Sequence, residues 1–203
     1  GGGGTDHVLG DHGAIVFDGA GRAVRMASAL PSQGAGDTID LGGGDNVAIG
    51  GFGADRLSAG AGADALLGDN GEVDFGNGSP TRLQSTDAGE STGAGDVIVA
   101  GGGSNRVIGG AGGDTITGGS GTDHVLGDHG TIAMTSGGLT TSLTVSRAGS
   151  GGGDSIDLGD GDNVAVGGAG ADQLTGGAGG DLLIGDAASV RFSGGVLTSA
   201  LST

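Results

Sequence analysis

Apolar residues along this chain come in twos and threes, alternate with polar ones over three to five positions, and are separated by Gly and Asp. In residues 50–68, GGFGADRLSAGAGADALLG, two successive nine-residue units share the form GGxGxDxUx, with U apolar. Asp55 and Asp64 are nine apart, and Leu57 and Leu66 each follow their Asp by two. A fixed short period marks an array of small supersecondary units, each able to bury its apolar side only against its neighbours. Alternation over so few residues predicts very short strands, and the Gly between them supply sharp corners. The pattern therefore predicts an all-β solenoid.

The same idea recurs three times. Asp or its substitute stands at 37, 45, 55 and 64, then at 96, 104, 114 and 123, then at 154, 162, 172 and 181, with steps of 8, 10 and 9 in each set. Two residues after each comes an apolar side chain, such as Ile39, Val47, Ile98, Ile116, Ile156 or Val164, with Arg106 as the exception. A second part of about twenty residues follows each set and reads strand, Gly turn, strand. Examples are Gly71 to Phe75 with Arg82 to Thr86, and Thr131 to Met134 with Leu139 to Val145. Two strands with two corners suit one further solenoid coil better than a projecting hairpin, because isolated hairpins would expose Phe17, Phe75, Met134 and Phe192. The organisation expected is a tail of a preceding unit at 1–33, units at 34–92 and 93–150, and a truncated unit at 151–203, all in one continuous solenoid. A longer period is superposed: GGGGTDHVLGDHG at 1–13 returns as GGSGTDHVLGDHG at 118–130, an offset of 117. The chain reads as an excerpt from something longer.

Composition narrows the function. The 203 residues include 55 Gly, no Cys and seven Arg with no Lys, and the net charge is −17. Collagen is excluded, since Gly is not at every third position and Pro occurs twice. Disorder predicts few branched apolar residues and no periodicity, the opposite of this pattern. The acidity argues against nucleic acid and membrane insertion as modes of action, since those surfaces select clustered cationic side chains. It argues for cations.

The units GGFGADRLSAGAGADALLG and GGAGGDTITGGSGTDHVLG resemble the RTX family of secreted bacterial proteins. The resemblance implies a right-handed parallel β-roll with Ca²⁺ between Gly and Asp turns stacked along each edge. The ligands it implies are Asp6, Asp37, Asp55, Asp64, Asp96, Asp114, Asp123, Asp154, Asp172 and Asp181. In the second turn of each unit either Asp45 or Asn46, and either Asp162 or Asn163, faces the ion; the middle unit departs with Ser104 and Asn105. Calcium suits such turns because it takes six to eight oxygens in irregular geometry. The alternative is that these Asp only form Asx-turns that cap neighbouring amides. The four His, at 7, 12, 124 and 129, all lie in the two copies of TDHVLGDHG. His7 and His124 follow the turn Asp at a position that also takes Arg56, Ala65 and Thr115, which reads as outward and permissive. No catalytic set is marked out, and no Lys follows a Gly loop as a phosphate site requires, so no enzyme is expected. The expectation is a structural, calcium-binding segment of a long bacterial protein outside the cell or on its surface, in an adhesin or filament that self-associates. The alternative is a calcium-dependent export and folding module of a toxin or secreted hydrolase.

Overall fold

The computed structural model describes residues 1–87 and 93–202; the unit boundary expected at residue 92 lies outside them. The first residues form β1 (His7–Leu9), β2 (Gly13–Phe17) and β3 (Ala23–Ser28). Next come β4 (Thr38–Gly42), β5 (Val47–Gly51), β6 (Arg56–Ala59), β7 (Ala65–Asp69), β8 (Gly71–Gly76) and β9 (Ser79–Ser85). The order repeats in β10 (Val97–Gly102), β11 (Arg106–Gly110), β12 (Thr115–Ser120), β13 (His124–Asp128), β14 (Gly130–Met134) and β15 (Thr140–Val145). It repeats again in β16 (Ser155–Asp160), β17 (Val164–Gly168), β18 (Gln173–Thr175), β19 (Leu182–Asp186), β20 (Ala188–Ser193) and β21 (Val196–Ser202).

The chain passes back and forth between two parallel sheets. The outer one has the order β18-β16-β12-β10-β6-β4 and the central one β1-β5-β7-β11-β13-β17-β19. Between them lies a core of Ile39, Leu57, Leu66, Ile98, Val107, Ile116, Val125 and Ile156. On the far side of the outer sheet, Thr38, Asp40, Arg56, Thr117 and Asp157 are exposed, so each strand alternates as its short apolar pattern requires.

The interposed segments are hairpins, not further coils. After β1, β7, β13 and β19 the chain leaves the central sheet and makes the pairs β2–β3, β8–β9, β14–β15 and β20–β21. These do not stand alone. Antiparallel pairings of β3 with β8, β9 with β14 and β15 with β20 join them into one eight-stranded sheet. A single row of apolar side chains crosses it in register, from Ile15 through Met26, Val73, Leu83, Ile132, Leu143 and Val190 to Ala200. Met26, Val73, Leu83, Ile132, Leu143 and Val190 are all fully buried, against Ile49, Leu67, Ile108 and Leu126 of the central sheet. Lateral pairing is what makes hairpins acceptable here: a lone two-stranded element is marginal, whereas eight strands with one covered face are not. The tight turns fit this reading, since Asn77 (φ 56°) and Gly78 (φ 87°) carry the paired positive φ of a two-residue hairpin loop.

The central sheet is thus covered on both sides. Every residue of β5, β7, β11, β13 and β17 is buried, which explains why these strands read as unbroken apolar runs such as VAIG and ALLG. Truncating the row should be costly. Leu83→Ala is expected to destabilise the calcium-saturated chain by about 2–5 kcal/mol, and Thr117→Ala on the exposed face by less than about 0.5 kcal/mol, as read from denaturant midpoints.

Candidate metal centre

Each strand of the two parallel sheets is entered through an Asp or Asn whose side chain faces the turn stacked beside it. Along the outer sheet these are Asp37, Asp55, Asp96, Asp114, Asp154 and Asp172. The N–H of each donates to Oδ1 of the next, at 2.6, 2.7, 2.8, 2.8 and 3.0 Å. Along the central sheet the corresponding ladder is Asp6, Asn46, Asp64, Asn105, Asp123, Asn163 and Asp181, with six such bonds of 2.8 to 3.0 Å.

These ladders settle the register of the second turn. Asn46, Asn105 and Asn163 stand in line, while Asp45 and Asp162 lie one residue earlier, exposed, and accept the N–H of Ala63 and Gly180 at 2.8 Å. Counted this way every step is nine residues, and the inward apolar positions are Ala48, Val107 and Ala165 rather than Val47, Arg106 and Val164. Arg106 is therefore not an exception to the inward pattern.

A carboxylate that spends Oδ1 on the adjacent turn still has Oδ2 to satisfy. In Asp6, Asp37, Asp55, Asp64, Asp96, Asp114, Asp123 and Asp154, Oδ2 is buried with no hydrogen-bond partner. Such an atom carries a large desolvation cost unless a cation or proton meets it. The glycines make room for this: a Cβ at Gly109 would collide with Asp114 Oδ2 and the Gly127 carbonyl. Among the described residues no three His, Cys, Asp or Glu side chains gather as a metal cluster. A bound ion would therefore draw oxygens from turn carbonyls as well as from carboxylates. That donor set, all oxygen and irregular, fits calcium.

The model of a sequence family described as the RTX calcium-binding nonapeptide repeat, in four copies, matches residues 34–72, 91–130 and 148–187, more than half of the chain. The chain belongs to the RTX repeat family. RTX nonapeptide repeats bind calcium ions, and a cation of that kind would satisfy the stranded Oδ2 atoms. No curated protein and no solved structure matches significantly.

Electrostatics of the RTX ladders follow from burial. Desolvation, with the neighbouring carboxylates adding to it, pushes Asp114 up to about 10, Asp96 to about 8, and Asp55 and Asp154 to about 7. A folded pKa above the unfolded one means that folding takes up protons. Without metal, these groups contribute stability that is fully present below about pH 4 and lost as pH rises through 7 to 10. A cation bound at these carboxylates would take the place of those protons.

Three carboxylates that sequence reading missed close the frame. Asp11, Asp69 and Asp128 lie where the first three hairpins depart, and both oxygens of each are bonded. Oδ1 accepts the N–H of Ala35, Ala94 or Gly152 on the returning chain, and Oδ2 accepts that of Phe52, Ala111 or Ala169 in a neighbouring turn. Their recurrence before the first three hairpins, in GDHG, GDNG and GDHG, was the available signal. The position after the ladder residue also needs correction. It is outward on the outer sheet, as at Arg56, but on the central sheet it faces the hairpins. His124 is buried there, 2.9 Å from Thr140 Oγ1 and edge-on to Phe192 at 5.0 Å, and burial lowers its pKa to about 3. His7 packs against Phe75 at 5.2 Å.

Two outcomes are expected. Without calcium, the chain should gain β structure as pH falls from alkaline toward acid, because folding then protonates Asp96 and Asp114, as followed by far-UV circular dichroism. A metal-free spectrum that does not change with pH would contradict their elevated pKa values. Gly109→Ala should weaken calcium binding and lower the calcium-loaded melting temperature by several degrees, measured by calorimetry.

Proposed function

We propose that this chain is a segment of a right-handed parallel β-solenoid, stiffened by calcium, that serves as a structural element of a long secreted bacterial surface protein, adhesin or extracellular filament. It carries no catalytic activity of its own. The observation behind this reading is the hairpin sheet, which joins each hairpin to the next through β3–β8, β9–β14 and β15–β20 and so adds a third layer. A module needed only to fold after export has no use for that layer; a load-bearing rod does. The 117-residue repeat adds reach without new chemistry. The net charge of −17 disfavours nucleic acid and anionic surfaces as partners. No helix among the described residues is long and apolar enough to cross a membrane. Outside the cell, calcium is abundant enough to fill the ladders, and periodic open sheet ends favour self-association in a matrix or filament.

The second reading, a calcium-dependent export and folding module of a toxin or secreted hydrolase, draws support from the buried unpartnered Oδ2 atoms, which make folding wait for the ion. Force spectroscopy separates the two. With calcium present, pulling from the two ends of wild type should require a high force, and Ile132→Asp should lower that force while leaving calcium-triggered folding of the parallel sheets in place. Equal unfolding forces for wild type and the variant would favour the export module.

A further inference from the structure

The two ladders differ chemically. The outer one is Asp throughout, whereas the central one alternates Asp and Asn: Asp6, Asn46, Asp64, Asn105, Asp123, Asn163, Asp181. The orientation of each amide follows from the ladder itself. Oδ1 of Asn46, Asn105 and Asn163 accepts the N–H of Asp6, Asp64 and Asp123, so Nδ2 takes the place where an Asp carries its second oxygen. From there Asn46 Nδ2 donates to the Gly44 carbonyl at 2.8 Å, and Asn163 Nδ2 donates to the Gly161 carbonyl at 3.2 Å. An oxygen in that position would face those carbonyls with no hydrogen to offer and would call for a cation; the amide brings its own donor.

The middle turn goes further. Ser104 replaces the exposed carboxylate of Asp45 and Asp162, so the Ser104–Asn105 turn has no acid at all. Asn105 Nδ2 is buried without an acceptor there. The next residue is Arg106, where the other two units have Val47 and Val164. Its guanidinium is buried and makes no ion pair among the described residues. Nη1 donates to the Ser104 carbonyl at 2.6 Å, Nη2 to Gly138 at 2.7 Å, and Nε to Thr140 Oγ1 at 3.1 Å. A fixed cation thus takes a turn carbonyl at the one level that lacks carboxylates, and ties it to the tip of the β14–β15 hairpin.

We propose that Asn46, Asn163 and Arg106 are built-in substitutes for calcium. The Asn-led turns close on internal donors, the demand for calcium falls on the Asp-led turns, and the outer ladder, all Asp, needs the most. The central ladder accordingly orders at lower calcium than the outer one. The inference rests on calcium binding by the RTX turns, not on the mechanical role proposed above.

Calcium bound at saturation, counted by equilibrium dialysis, tests it alongside the calcium midpoint of folding. Asn46→Asp combined with Asn163→Asp should add about one ion per new carboxylate and move the folding midpoint to higher calcium. Ser104→Asp with Asn105→Asp and Arg106→Val should create a further site in the middle turn. Should those variants fail to fold, Asp64→Asn is the reverse test: it should fold with fewer ions and at lower calcium. Unchanged counts and midpoints, or a higher midpoint for Asp64→Asn, would overturn the proposal while leaving calcium binding intact. A wild-type chain that binds no calcium would overturn both.

Discussion

One hydrogen bond organises this molecule: the backbone N–H that opens each turn donates to the side-chain Oδ1 of the turn stacked beside it. It sets the nine-residue step, aligns the strands of two parallel sheets, and forces like side chains into columns about one strand spacing, some 5 Å, apart. It also uses only half of each carboxylate. Two like charges at that distance repel by about 3 kcal/mol at an effective dielectric near 20, so a column of ionised Asp is not stable by itself. Once ionised, such a column calls for cations, so the RTX fold and its cofactor are parts of one balance.

The third layer changes what the parallel sheets have to do. Strands of three to six residues bury little by themselves. Here the central sheet is covered twice, by the outer parallel sheet through Leu66, Val107 and Val125 and by the hairpins through Leu67, Ile108 and Leu126. Some polar groups carried into that second interface pair with one another. Thr140 Oγ1 accepts from Arg106 Nε and lies within hydrogen-bond distance of His124 Nδ1. The hairpins thus lock onto the turns that hold the ladders, through Arg106 to Gly138 and Thr140.

Much of this was legible from residue order. Period two beside Gly and Asp gave the short strands, and Asp55, Asp64, Asp114 and Asp123 showed their spacing directly. The second turns were ambiguous because Asp45 and Asp162 drew the register one residue early; only the ladder bonds distinguish an exposed Asp from an in-line Asn. The hairpins were misread for a different reason. Local sequence shows that Val73 and Leu83 are apolar but not that Ile132, some fifty residues on, lies beside Leu83. Pairing across units is non-local information, as is the difference between the two faces on which Arg56 and His124 sit.

The most direct test of the account is a far-UV circular dichroism titration of chelated protein with Ca²⁺ at slightly alkaline pH, with Mg²⁺ as control. A coil-like spectrum should turn to β only with calcium, because magnesium holds its waters and demands regular geometry that these turns do not offer. A β spectrum that is complete under chelation, or restored equally by magnesium, would contradict it.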